Sequence, residues 1–276
     1  LLEICMSPSR RSVLARSLAL LAAAPLAGAA WAQAWPAKPI TYVVAFPPGG
    51  TTDILGRLIA DKLGPALGTT LVVENKGGAG GSLGSEQVSR AAPDGYTLLV
   101  ANTGPFAIAP YLQSKQPYDP VKQFSYVGQI AEAGYIAATR TEHPARDLKQ
   151  FVDWARANAG KANYASGGIG SSTHLNGELL NNVAGIDLLH VPYKGSAPAV
   201  TDLIGGQTHL LIDAGTVLLP QIKGGKLKAL AVTGTRRDPN LPDVATVREQ
   251  GLAGMEALGF QGLVGPAGLP PAVVDR

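Results

Sequence analysis

The chain has 276 residues, of which 46% are hydrophobic and 16% are charged, and its formal net charge is +3. Such a chain can fill one large or two medium cores, which excludes a disordered protein. After residue 34 it has no block of Lys and Arg interleaved with aromatic residues, so we expect no nucleic-acid partner.

Residues 1–34 have the pattern of an export signal. A basic segment at residues 9–15 precedes an apolar run at residues 18–24, and residues 32–34 form a small-x-small cleavage site. The apolar run is too short to span a membrane, so we expect cleavage and a periplasmic mature protein. The paired arginines leave open whether export uses the twin-arginine or the general route.

The first predicted βα unit is organised around residues 45–53. Residues 40–46 are β-branched and aromatic, which is typical of a strand covered on both faces. Pro48 ends this strand, Gly49 and Gly50 let the chain turn, and Thr51 or Asp53 can cap the next helix. Free amides at a helix start favour a carboxylate or phosphate. A tight βα connection without a ligand would use the same glycines, so both interpretations stay open.

The helix after this loop is predicted to bury one stripe of large apolar side chains, because they recur at helical spacing. The stripe consists of Ile54, Leu55, Leu58, Ile59 and Leu63.

Strands and helices alternate along the rest of the chain, which predicts a mostly parallel α/β sheet with helices on both faces. Ligands of such sheets lie beyond the carboxyl ends of the strands, which makes Thr103 a candidate. The pattern also predicts a helix end at residues 249–254. The predicted strands are 70–74, 96–100, 124–130, 135–139, 163–166, 188–191, 209–213 and 227–233; the helices are 83–91, 147–157, 175–183, 197–204 and 216–223.

A second helix start, at residues 167–174, repeats the glycine and hydroxyl pattern of the first. A proline-rich stretch at residues 105–125 separates the two and predicts a boundary between lobes. Two such loops, one from each lobe, would close on one small anion. The candidate residues of this second loop are Gly170, Ser171, Ser172, Thr173 and His174.

Five motifs at residues 46–53, 73–81, 93–97, 190–195 and 224–233, taken together and in order, resemble those of the Bug proteins. These are the TctC-like periplasmic receptors of tripartite tricarboxylate transporters. The resemblance implies a two-lobed, type II periplasmic-binding-protein-like fold, no cofactor and no enzymatic activity. It implies a small mono- or dicarboxylate ligand, including amino acids and aromatic acids, and membrane transporter subunits as partners. We expect a monomer.

The resemblance also assigns lobes and site residues. Residues 35–104 and 233–276 would form the first lobe and residues 105–232 the second. Family members continue beyond the position of residue 276, so we expect part of the first lobe to be missing. Asp213 lies where relatives often carry a Phe-Asp-Asn-like run, which predicts a smaller pocket wall. The ligand-binding residues would be Pro48, Gly49, Gly50, Thr51, Asp53, Thr103, Gly170, Ser171, Ser172, Thr173, His174, Tyr193, Lys194, Gly195 and Asp213.

Several alternatives remain open at this point. Ser82 lies in a Gly-x-Ser-x-Gly pattern, so an exported serine esterase is an alternative, with His190 or His209 as its base. A ligand-sensing receptor for signalling would share every feature of a transport receptor. The histidines lack metal-ligand spacing, so no metal site is predicted. Whether His174 or Lys194 contacts the ligand directly is also open.

Overall fold

The computed structural model describes residues 34–112 and 116–276, so the predicted export signal lies outside the described residues except for residue 34. Residues 38–276 form one compact unit, and residues 34–37 contain neither helix nor strand. No helix within the described ranges is long and apolar enough to cross a membrane.

The described strands are β1 Ile40–Val44, β2 Leu71–Asn75, β3 Thr97–Asn102, β4 Phe124–Arg140, β5 Asn163–Ser166, β6 Leu189–Pro192, β7 Leu210–Ala214, β8 Leu227–Val232 and β9 Leu258–Pro266. They form one sheet in the order β2-β1-β3-β9-β4-β7-β5-β6, and β8 pairs with β4. The helices are α1 Thr51–Leu67, α2 Ser82–Ser89, α3 Ala109–Leu112, α4 Leu148–Ala157, α5 Ser172–Ala184, α6 Ser196–Ile204, α7 Gly215–Lys223 and α8 Pro271–Asp275.

Strand β4 divides the sheet into two halves. Residues 124–134 of β4 pair with β9, and the end of the strand pairs with β7 and β8. We call β1, β2, β3 and β9 the first half, and β5, β6, β7 and β8 the second half. Pairing is parallel around β1 and around β5, and antiparallel wherever β4 or β9 takes part. The predicted α/β architecture is thus confirmed, with an antiparallel centre.

The prediction of two strands at residues 124–130 and 135–139 was wrong, because β4 runs unbroken across both. The residues between them, Ala131 to Gly134, weaken the hydrophobic pattern and resemble a turn. They continue the ladder with β9, and register shifts on either side of residues 128–129 absorb the irregularity. The break in the pattern marks the place where β4 changes partners.

The predicted buried stripe of α1 was also wrong. Ile54 is 40% exposed and Leu58 is 54% exposed, whereas Gly56 and Ala60 are buried against the sheet. A Cβ atom at Gly56 would lie 3.0 Å from a methyl carbon of Val44. Around Gly56 the helix therefore packs through small residues, because it lies too close to the sheet there for large side chains.

The helix end predicted at residues 249–254 was wrong as well. These residues form turns, in which Gly251 and Gly254 take φ values of 81° and 97°. Left-handed backbone at two positions so close together does not continue a right-handed helix. The chain then enters β9, which the sequence reading missed.

Each half has its own apolar core. In the second half, Phe151, Tyr164 and Leu180 are at most 1% exposed and pack together. In the first half, Val43 and Leu99 are fully buried in a separate cluster. Because the described apolar clusters of the two halves are packed separately, the space between the carboxyl ends of their strands is left unfilled.

Candidate functional site

A cavity of about 340 Å³ lies where the carboxyl ends of β1, β3, β5 and β7 meet. This volume is at the small end of the range for small-molecule pockets. Residues from both halves and from β4 line it. The predicted site residues at its wall are Gly50, Thr51, Thr103, Ser171, Ser172, Thr173 and Asp213.

Four of the described helices begin at this cavity, namely α1, α5, α6 and α7. The residues before α1, α6 and α7 are Gly50, Gly195 and Ala214, and none of these three helices has a side-chain cap. First-turn amides without a capping side chain need another acceptor. Helix dipoles aimed at one small space add positive potential, so the cavity wall favours a bound anion.

The described part of the cavity wall carries no full positive charge. Of the described residues that line it, none is Lys, Arg or His, and the acidic ones are Asp213 and Asp238. The Asp238 carboxylate is engaged locally, because its Oδ1 accepts the Asn240 amide at 2.7 Å. An anion here would be held by amides and hydroxyl groups rather than by an ion pair.

Hydroxyl groups connect the two halves across the cavity. Thr216 Oγ1 donates to Thr51 Oγ1 at 2.8 Å, which joins the starts of α7 and α1. The Tyr135 hydroxyl lies beside Ser172 of the second half and Thr103 of the first. Burial raises the pKa of Tyr135, and these two side chains act in the opposite direction. The arrangement seen here therefore brings both halves against one pocket.

Asp53 orders the first loop and does not line the cavity. It is 4% exposed, and its Oδ2 accepts the Gly49 amide at 3.0 Å while Oδ1 accepts Asn75 Nδ2 at 2.8 Å. Burial alone would raise the pKa of Asp53, but the hydrogen bonds from Arg57, Gly49 and Asn75 together lower it below its ordinary value. Asp53 is thus a stable carboxylate that is neutralised by its partners and shapes the loop before α1.

The second loop is held in a similar way. Ser171 Oγ donates to the Gly168 carbonyl at 2.6 Å and accepts the His174 amide, which caps α5. Thr173 Oγ1 accepts the Gly167 amide at 2.7 Å, and His174 Nδ1 accepts the Gly170 amide at 3.3 Å. Gly170 and His174 therefore support this loop but do not line the cavity.

Asp213 is the acidic side chain best placed to meet a ligand. It is 3% exposed at the end of β7, and Oδ1 accepts the Ala214 amide at 2.7 Å. Burial raises the pKa of Asp213 to about 6, although the Ser196 hydroxyl and the Ala214 amide act in the opposite direction. Oδ2 is buried and receives no hydrogen bond from the described residues.

The structure does not bring all the predicted residues to one cavity. Pro48, Tyr193, Lys194 and Gly195 line a second cavity of about 700 Å³, which shares Phe46 and Gly167 with the first. Gly49 lines a third space, between α1, α6 and α7. The sequence pattern predicted that these residues lie in loops. It could not show that neighbouring residues of one loop line different cavities.

Sequence reading missed the wall contributed by β4 and β9. Tyr135 was assigned to a strand without a role, and the segment containing Gly259 and Gln261 was not assigned to any strand. A Cβ at Gly259 would lie 2.1 Å from the Tyr135 hydroxyl, so this glycine makes room for the ring. The alternation of Leu258, Phe260 and Val264 was the available signal for β9, but the glycines between them obscured it.

The esterase alternative gains no support from the geometry. Ser82 is 2% exposed as the first residue of α2, and it lies beside Tyr118. His190 Nε2 is paired with Ser166 Oγ at 2.6 Å, and His209 packs on Trp154. An esterase nucleophile has to be reachable by its substrate. No group of His, Cys, Asp and Glu in the described ranges could hold a metal ion.

Comparison with known proteins decides the family. The model of the TctC family, described as the tripartite tricarboxylate transporter family receptor, matches residues 55–276. The chain belongs to the TctC receptor family. The fold is accordingly that of the two-lobed periplasmic binding proteins, as predicted.

Three solved TctC-like structures are close in sequence and fold. The periplasmic binding protein BugD is 42% identical with a TM-score of 0.84, over 87% of this chain and 80% of that one. The malate complex of MatC from Rhodopseudomonas palustris is 36% identical with a TM-score of 0.84, over 87% and 82%. The adipate complex of R. palustris Rpa4515 is 33% identical with a TM-score of 0.85, over 87% and 81%.

Proposed function

We propose that this protein is a periplasmic receptor that binds a small mono- or dicarboxylate between two lobes and delivers it to a tripartite tricarboxylate transporter. The lobes would be residues 35–104 with 233–276, and residues 105–232. The observation that carries the proposal is the convergence of four described helix starts on one cavity, with no basic side chain among the described wall residues. Three of these helix starts lack a capping side chain.

The comparisons support the ligand class. MatC binds malate and Rpa4515 binds adipate, which share carboxylate ends and differ in length and substitution. Backbone amides recognise a carboxylate without specifying the rest of the molecule. The contacts would come from the amides and hydroxyls of Gly50, Thr51, Ser172 and Thr173, with ordered water filling the remaining space.

Closure would be driven by the ligand. A carboxylate that bridges α1 and α5 binds the closed arrangement more tightly than an open one, so it shifts the population toward closure. The Thr216–Thr51 hydrogen bond would form only when the halves approach. A transporter could then distinguish loaded from empty receptor by the relative position of the lobes.

A thermal-shift screen of the refolded mature protein against small carboxylates, amino acids and aromatic acids tests this function. We expect at least one carboxylate to raise the unfolding midpoint in a concentration-dependent way, as ligand binding to the folded state requires. Gly50→Phe should abolish the shift, because its φ of −87° suits any residue but the ring would fill the cavity. A shift of unchanged size in this variant would place the ligand elsewhere.

A further inference from the structure

We propose that Asp213 recognises a hydrogen-bond donor on the ligand, so that the ligand is an amino- or hydroxy-substituted carboxylate. This inference rests on the proposed function, because it concerns the same cavity. It goes further by dividing the wall into a part that binds the carboxylate and a part that binds a donor.

The first step is the unfinished hydrogen bonding of Asp213. Oδ1 accepts a hydrogen bond from the Ala214 amide, and Oδ2 is buried without a hydrogen-bond partner among the described residues. A buried polar atom left unpaired is costly, and the cost is larger for a charged group. Native proteins rarely leave such an atom unpaired, so a group outside the chain is expected to complete it.

The second step is the lack of a cationic neighbour. No Lys, Arg or His is found among the described wall residues. The Tyr135 hydroxyl is close enough for the Asp213 charge to raise the pKa of Tyr135, which burial raises most, but it makes no hydrogen bond to Asp213 Oδ2. The Ser196 hydroxyl is close enough to lower the pKa of Asp213, but it makes no hydrogen bond to Oδ2. A ligand ammonium or hydroxyl group would supply the missing donor, and an ammonium would also balance the charge.

The third step places the ligand carboxylate. Two carboxylates cannot share one small space without repulsion, so the ligand carboxylate would avoid Asp213. The starts of α1 and α5, with Thr51 and Ser172 at the cavity wall, offer it amides and hydroxyls instead. A second unpartnered acceptor, Gln261 Oε1, comes from β9 in the first half. The wall thus offers acceptors as well as donors.

Matched sets of ligands test the inference by titration calorimetry on the full mature protein. One set is succinate, malate and aspartate, and the other is glutarate, 2-hydroxyglutarate and glutamate. Within the set that fits the cavity, we expect the hydroxy or amino member to bind roughly tenfold more tightly than the unsubstituted acid, as one charge-assisted hydrogen bond allows.

Two variants separate the donor types. Asp213→Asn keeps a neutral acceptor, so a preference for an ammonium should collapse to within about threefold, whereas a preference for a hydroxyl should largely persist. Asp213→Leu removes the acceptor and should abolish either preference. Asp153→Asn makes the same change on the exposed surface of α4, where Asp153 pairs with Arg156, and should preserve the preference. Circular dichroism and the unfolding midpoint verify that each variant folds.

The possible failures are distinguishable. If unsubstituted acids bind the unaltered protein as tightly as their substituted partners, the inference is wrong. In that case Ser196 or water donates the hydrogen bond to Asp213 Oδ2. A preference that survives in Asp213→Leu overturns it equally. If no acid of either set or of the wider panel binds, the proposed function itself fails. Should Asp213→Leu not fold, the ligand comparison and Asp213→Asn still decide the question.

Discussion

Gly80→Ala is expected to weaken binding of a carboxylate by roughly 10- to 100-fold, as an overpacked contact between the two halves would. Gly80 belongs to the turn before α2 in the first half, and a Cβ there would lie 2.5 Å from the Ile169 carbonyl of the second half. It would also lie 3.3 Å from the amide of Ser171, which caps α5 at the cavity. The methyl group would therefore separate the two loops that have to meet around the ligand.

Gly68→Ala is the matched control for Gly80→Ala. Gly68 has a φ of 71° and Gly80 a φ of 63°, so both substitutions strain the backbone to a similar degree. A Cβ at Gly68 would have no described atom outside its own chain neighbours within 4 Å. Calorimetric affinities should fall for Gly80→Ala alone, while the unfolding midpoints of the two variants without ligand drop by similar amounts. Equal affinities would show that binding does not need the loops to approach.

Gly177→Ala is expected to destabilise the protein by roughly 2 kcal/mol, although replacing glycine by alanine within a helix ordinarily stabilises it. Helix propensity favours the substitution by about 1 kcal/mol. However, a Cβ at Gly177 would lie 2.1 Å from the ring of Tyr164, which is 1% exposed in the core of the second half. The ring has little room to move, because its hydroxyl also donates to Glu178. The clash therefore outweighs the propensity.

The same substitution should also lower the affinity for the ligand. To relieve the clash, α5 has to move away from β5, and Ser172 and Thr173 at the cavity wall move with it. Chemical denaturation measures the stability, and calorimetry measures the accompanying loss of affinity. Tyr164→Val creates space, so the double variant should be more stable than the sum of the single effects predicts. Strict additivity, or a stabilised Gly177→Ala variant, would contradict this packing between α5 and β5.

Much of the fold follows from local sequence patterns. The strand β1, the glycine loop and the start of α1 could be predicted because their residue preferences are strong and lie within a few positions of one another. The start of α5 was predictable for the same reason, since Ser171 has the chemistry of a helix cap. Loops beyond parallel strands then indicated which parts of the chain would contribute to a site.

The remainder depends on contacts that are distant in sequence. The buried face of α1 is set by how closely the helix approaches Val44, and local periodicity carries no information about that distance. The wall residue Gln261 belongs to a strand that exists because β3 and β4 lie on either side of it. Likewise, Lys194 lies in a cavity beside the first one, and this separation depends on the three-dimensional course of the loops.

The most direct test is a crystal structure of the protein with the tightest-binding acid from the screen. We predict that the ligand carboxylate lies about 3 Å from amides at the starts of α1 and α5, with no Lys or Arg nitrogen within about 4 Å. A carboxylate paired with Lys194 in the second cavity would contradict the central claim that uncapped helix starts, rather than a basic side chain, hold the ligand.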